Sequence, residues 1–63
     1  MTRYCFKVLG QQHTITADRV LRWAYGPIVD GQPEPRFCKT KATAMREIVA
    51  MRGDRFLVPV TEA

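Results

Sequence analysis

The chain has 63 residues, ten Lys/Arg against six Asp/Glu, and a net charge of +4. A chain this short buries only about 60% of the surface its unfolded form exposes, and a pocket of roughly 300 Å³ or more would hollow out such a core; this argues against an enzyme and for one small binding domain, residues 1–63. The apolar fraction of 46% excludes a disordered chain, and no apolar run nears the ~20 residues that cross a bilayer.

Residues 3–9 alternate, with Tyr4, Phe6 and Val8 on one side and Cys5, Lys7 and Leu9 on the other. Period two with aromatic and β-branched side chains predicts a strand. A turn is expected at Gly10-Gln11-Gln12 and a second strand at residues 13–16, HTIT, which closes a hairpin.

Residues 17–25 carry two overlapping patterns. Ala17, Val20, Leu21 and Ala24 fall on one helix face, Thr16 can cap it, Asp18 suits the N-terminal dipole, and Gly26-Pro27 would stop it. Leu21, Trp23 and Tyr25 also alternate as in a strand from Val20 to Tyr25. The agreement of cap, charge and stop favours a short helix over 17–25. Residues 26–35, GPIVDGQPEP, read as a surface loop with a tight turn at Asp30-Gly31. If the preceding piece is a strand, the loop becomes the tip of a long hairpin and Pro33 and Pro35 belong on an edge.

Residues 36–53 give the strongest signal. A short extended piece is followed by Thr40 as N-cap, its hydroxyl placed to accept the amide of Thr43. A helix over 41–52 follows, with Ala42, Met45, Ile48 and Val49 as its inward stripe. Arg52 suits the last turn and Gly53 the left-handed position after it. Residues 55–60, RFLVPV, form a final strand, with Pro59 at an edge or at its end, and residues 61–63 fray. The fold class is therefore α+β: a small antiparallel sheet against one helix in the C-terminal half, with a second short helix at 17–25. The expected core is Tyr4, Phe6, Val8, Ile15, Leu21, Phe37, Met45, Ile48, Val49, Phe56 and Val58.

The N-terminal stretch turns polar after Leu9 and lacks the apolar core of a signal peptide, so the expected location is cytoplasmic. Cys5 and Cys38 are then reduced and half-buried rather than bridged. With His13 they show none of the short ligand spacings of a zinc site, and nothing indicates an activated thiolate. Neither metal nor cofactor is expected. Arg52-Gly53-Asp54 spells an adhesion tripeptide, but each residue is accounted for by the helix end.

Two groups can bind a partner. Arg36, Lys39, Lys41 and Arg46 form a run without an acid, and Arg19 and Arg22 stand near the aromatic Trp23 and Tyr25. Such cations attract phosphates and such aromatics stack on bases. The second group is Trp23, Tyr25, Arg22 and Asp30 with the proline-rich loop. Trp, Tyr and Arg dominate binding hot spots. The run RFCKTKATAMRE also resembles the strand-to-helix junction of three-stranded DNA-binding domains such as the arm-binding domain of phage integrases. There a Thr-Lys-x-x-Ala sequence opens the helix that backs a sheet. The resemblance covers only residues 37–44, and the loop before it and the strand after it depart from that pattern. What it implies is DNA binding.

A charge of +4 is modest for a dedicated nucleic-acid binder, and Asp18, Asp30 and Glu34 sit among the candidate contacts. The favoured expectation is a protein-interaction module, an inhibitor or regulator of a host or partner protein of the phage or mobile-element accessory type. The alternative is a small basic nucleic-acid-binding regulator. A homodimer would extend the small core.

Overall fold

Two tight turns set the chain's hairpins. Leu9-Gly10 and Asp30-Gly31 all have positive φ, between 52° and 78°, which is the signature of the two-residue turn whose twist matches paired strands. In the computed structural model, which describes all 63 residues, the first turn joins β1 (Thr2–Val8) to β2 (Gln11–Ala17) in full antiparallel register, from Thr2 opposite Ala17 to Val8 opposite Gln11. The second joins β3 (Trp23–Val29) to β4 (Gln32–Pro33), and the same returning chain resumes as β5 (Arg36–Cys38). Helix α1 (Lys41–Ala50), β6 (Arg55–Pro59) and β7 (Thr61–Glu62) complete the chain. This is a small α+β fold with antiparallel sheets and one helix in the C-terminal half.

The strands form two sheets, β2-β1-β7 and a second in which β3 pairs with β4 and β5 on one side and β6 on the other. The core lies between them. Tyr4, Phe6 and Val8 of β1 meet Ala24 and Phe56 of the second sheet, with Leu21 and Val60 from the connections. Phe6 meets Phe37 edge-on at 5.6 Å, tying the sheets together. Each buried Phe, Leu or Val of this cluster contributes about 1.5–3 kcal/mol. The other face of β3 carries Trp23 and Tyr25, with Leu57 opposite Tyr25 on β6, and α1 covers that face by lying against β3, β5 and β6. The second sheet is thus covered on both sides.

Residues 18–22 are not helical. Leu21 is buried in the inter-sheet core, and the backbone of Arg22 is taken on both sides: its amide donates to the Cys38 carbonyl (3.1 Å) and its carbonyl accepts from Val60 (2.9 Å). The Tyr4 hydroxyl also donates to the Arg19 carbonyl at 3.0 Å. These long-range bonds take the backbone groups that a local helix over 17–25 would have paired within itself. The strand starts later than Val20 and runs into the proline-rich segment, so the long-hairpin alternative is the correct one. Pro33 and Pro35 lie on the edge it requires, since β4 and β5 pair only with β3.

Thr40 caps α1 as expected, accepting the Thr43 amide at 3.3 Å. The helix presents a different face from the one its aliphatic stripe suggests. Ala44 is fully buried and Ile48 and Met51 are half-buried, whereas Met45 is 45% and Val49 75% exposed and Ala42 also faces solvent. Neighbouring positions differ by about 100° around a helix. The sheet face beneath already holds the bulky Trp23 and Tyr25, so a small residue fits against it. The helix also ends at Ala50, with Met51 extended as its C-cap and its amide on the Ile48 carbonyl. Arg52 lies past the last turn, and the left-handed Gly53 (φ 78°) serves the turn into β6. Residues 61–62 do not fray: β7 pairs with Tyr4 and Cys5 of β1, and the Ala63 amide donates to the Arg3 carbonyl.

Gly26 has φ 152°, and a Cβ there would strike the Glu34 carbonyl oxygen across the hairpin, whereas Gly31 has open space around it. Gly26→Ala should cost about 3 kcal/mol or more, from backbone strain plus steric overlap, and Gly31→Ala about 1 kcal/mol from φ alone. Leu9 is a branched side chain in a left-handed turn position, so Leu9→Asn should gain about 1 kcal/mol. Urea midpoints of the three variants check this order.

Candidate binding cleft

Trp23 opens β3 between Cys38 on β5 and Pro59 on β6. It is half-buried, and the Lys41 ammonium sits 5.4 Å from the centre of its ring, a cation–π contact worth roughly 0.5 kcal/mol at an exposed site. Lys41 reaches it because α1 starts immediately after β5 and crosses the Trp23 face.

The other side of Trp23 borders an open cleft of about 550 Å³. Tyr4, Leu21 and Val60 are its buried residues; Val20, Arg22, Trp23, Thr61 and Glu62 form its rim. It exists because the chain leaves the second sheet at Pro59 and joins the first at Thr61, while residues 18–22 make the opposite crossing. Two crossovers side by side leave a gap that no side chain fills. Val20, 48% exposed, projects an aliphatic group at the rim. One cation, Arg22, and one carboxylate, Glu62, flank it.

The candidate contact residues divide on this geometry. Trp23 and Arg22 belong to the cleft, with Lys41 beside them. Tyr25 is buried, at 8% exposure, on the face that α1 covers, and is not available to a partner. Asp30 is exposed at the hairpin tip, seven residues along an extended chain and so about 20 Å from Trp23. It belongs to a different surface. Among the basic residues, Arg19 stands in the 18–22 connection, and Lys39 in the bend before α1. Arg36 is exposed at the edge, opposite Tyr25. Arg46 is two positions from the buried Ala44, about 200° around the helix, and points to solvent. The cations therefore spread over several directions rather than forming one continuous stripe.

Val20, Val60, Thr61 and Glu62 were not among the sequence-derived candidates. No local pattern marks them: Val20 falls within the expected helix stripe, and Val60, Thr61 and Glu62 lie at the far end of the chain. The two thiols are free and half-buried: Cys5 Sγ lies 3.3 Å from Thr61 Oγ1, and Cys38 Sγ donates to the Thr40 carbonyl at 3.1 Å. No helix is long and apolar enough to cross a membrane.

No protein-family model, curated protein or solved structure matches the chain. The cleft is therefore interpreted from its own residues.

Trp23 is the chain's one tryptophan, so its fluorescence reads the cleft without interference. Lys41→Ala should raise quenching of Trp23 by acrylamide, a neutral quencher that reads exposure and not charge, and lower stability by roughly 0.5 kcal/mol. Unchanged quenching would show that Lys41 does not cover the ring in solution.

Proposed function

We propose that this chain is a non-enzymatic binding protein that seats an apolar side chain of a partner protein in the Trp23 cleft, and so masks the partner's surface as a regulator or inhibitor does. The observation that carries this reading is the cleft's composition: buried Tyr4, Leu21 and Val60 below, exposed Val20 and half-buried Trp23 at the rim. An apolar segment gains from filling such a gap, because water is expelled from aliphatic and aromatic surface on both partners. Arg22 and Glu62 on the rim can each pair with an opposite charge flanking that apolar anchor, and charge complementarity of this kind speeds encounter more than it adds affinity.

The nucleic-acid alternative draws on the same cations. Two features weigh against it. Lys41 occupies one face of the Trp23 ring, leaving only the cleft side for a base to stack on, and Arg36 and Arg46 do not continue the group around the cleft. An intracellular site of action fits this reading, with an accessory protein of phage or mobile-element type as the setting that its size suggests.

Capture experiments with immobilised protein and nuclease-treated lysate test the proposal. Val20 is exposed, so Val20→Asp should leave the circular dichroism spectrum unchanged while reducing capture of the partner about tenfold or more, the penalty for placing a charge against an apolar anchor. Binding should depend only weakly on salt. Capture that disappears with nuclease, or that falls by orders of magnitude between low and moderate salt, would favour phosphate binding instead.

A further inference from the structure

The sheet edges of this protein are not protected equally. The edge formed by β4 and β5 carries Pro33 and Arg36, with Pro35 between them. The β6 edge carries Arg55 and Pro59, and β7 is only two residues long. Charges, prolines and short length are the devices that stop an edge strand from pairing with another chain. β2 has none of them. It is seven residues long, QQHTITA, with no charged residue and no proline, in a chain of net charge +4. It is also the outermost strand of its sheet, paired only with β1.

We infer that β2 is a self-association edge: two copies of the chain pair β2 antiparallel to β2 about a twofold axis through Thr14. The register follows from the hairpin. A two-residue turn makes Val8 and Gln11 a hydrogen-bonded pair, and bonded and non-bonded pairs then alternate along the ladder. Gln11, His13, Ile15 and Ala17 turn their backbone groups toward β1. Gln12, Thr14 and Thr16 turn theirs to the open edge. Centred on Thr14, an antiparallel partner sets Thr14 against Thr14 and Gln12 against Thr16 on each side, so every outward amide and carbonyl of these residues is satisfied. Their side chains lie together on the exposed face as a ladder of hydroxyls and amides, a favourable cross-strand combination. On the inner face His13 meets Ile15 of the second copy.

Two further observations fit a second copy rather than an unrelated peptide. His13, Ile15 and Ala17 on the inner face of β2 are only half-buried. The core is therefore open along this edge, and the twofold operation would extend it with the same residues. The cations of the neighbouring strand, Arg3 and Lys7, lie on β1 opposite Thr16 and Gln12. Across the joined sheet the two β1 strands are three strand spacings apart, about 14 Å. This exceeds the screening length of about 8 Å at physiological salt, so repulsion between these β1 cations of the two copies is largely screened. The Trp23 cleft borders β7 at the opposite edge of the sheet, and the dimer would present two open clefts.

The test is sedimentation equilibrium of the full chain over a concentration series reaching roughly 1 mM, where even weak pairing is populated, together with amide hydrogen exchange. The wild type should form a dimer in which the amides of Gln12, Thr14 and Thr16 are protected. Thr14→Lys sets two ammonium groups face to face at the twofold axis while its own side chain stays exposed in the monomer. It should be monomeric throughout, with unchanged circular dichroism. A synthetic chain with an N-methylated Thr14 amide should also be monomeric, because the blocked group bonds nothing within one chain. A wild type that remains monomeric would overturn the inference. So would a dimer that survives both changes, or one that is lost in Val49→Lys but not in Thr14→Lys, which would move the interface to the exposed side of α1.

Discussion

β3 is the constraint on which the rest of the structure depends. It is bonded along both edges, by β5 and β4 on one side and by β6 on the other, and it is covered on both faces, by the first sheet and by α1. Few domains of this length can enclose a strand so fully. It is possible here because the chain between β5 and β6 crosses over β3 as a helix: ten helical residues rise about 15 Å, close to the length of the five-residue strand that follows. The strand tolerates this crowding because Gly26 gives way at the point where the Glu34 carbonyl approaches, and because Ala44 rather than a larger residue meets the outer face.

The candidate site follows from how β3 begins. The backbone of Arg22 bonds Cys38 and Val60, so Trp23 is fixed at the point where the second sheet ends. The chain must cross between sheets twice beside it, once at residues 18–22 and once at Val60. Those crossings create the cleft, and the start of α1 brings Lys41 onto the Trp23 ring. The proposed contact surface and the fold therefore share the same few residues, which is why Val20, exposed and outside the core cluster, is the residue through which the cleft can be altered without disturbing the frame.

The features read correctly from the sequence are those whose causes are local. Alternation from Arg3 to Val8, the Asp30-Gly31 turn, the Thr40 cap and the strand around Phe56 each depend on neighbours a few positions away; the first hairpin is tighter than expected, with Leu9-Gly10 as its turn and Gln11 and Gln12 already in β2. The features misread depend on distant partners. Residues 18–22 have a capping threonine, a favourable acid and a helical apolar spacing, yet Cys38 and Val60 claim their backbone. In α1 the stripe of Ala42, Met45 and Val49 is regular, but the aromatic face beneath it selects Ala44. Thr61 and Glu62 look like a loose end until Tyr4 and Cys5 are beside them. Of the residues lining the cleft, Trp23 and Arg22 were singled out from residue type alone. The cleft itself was not, because its walls come from both ends of the chain.

Native-state amide exchange followed residue by residue tests the central role of β3 most directly. Doubly bonded and doubly covered, its amides should open only with global unfolding and exchange as slowly as any in the molecule, while those of Arg19, Val20 and Leu21 exchange quickly. If the amides of residues 20–24 instead show the continuous protection of a helical turn, or if β3 exchanges faster than β1, β3 is not the strand around which the fold is organised.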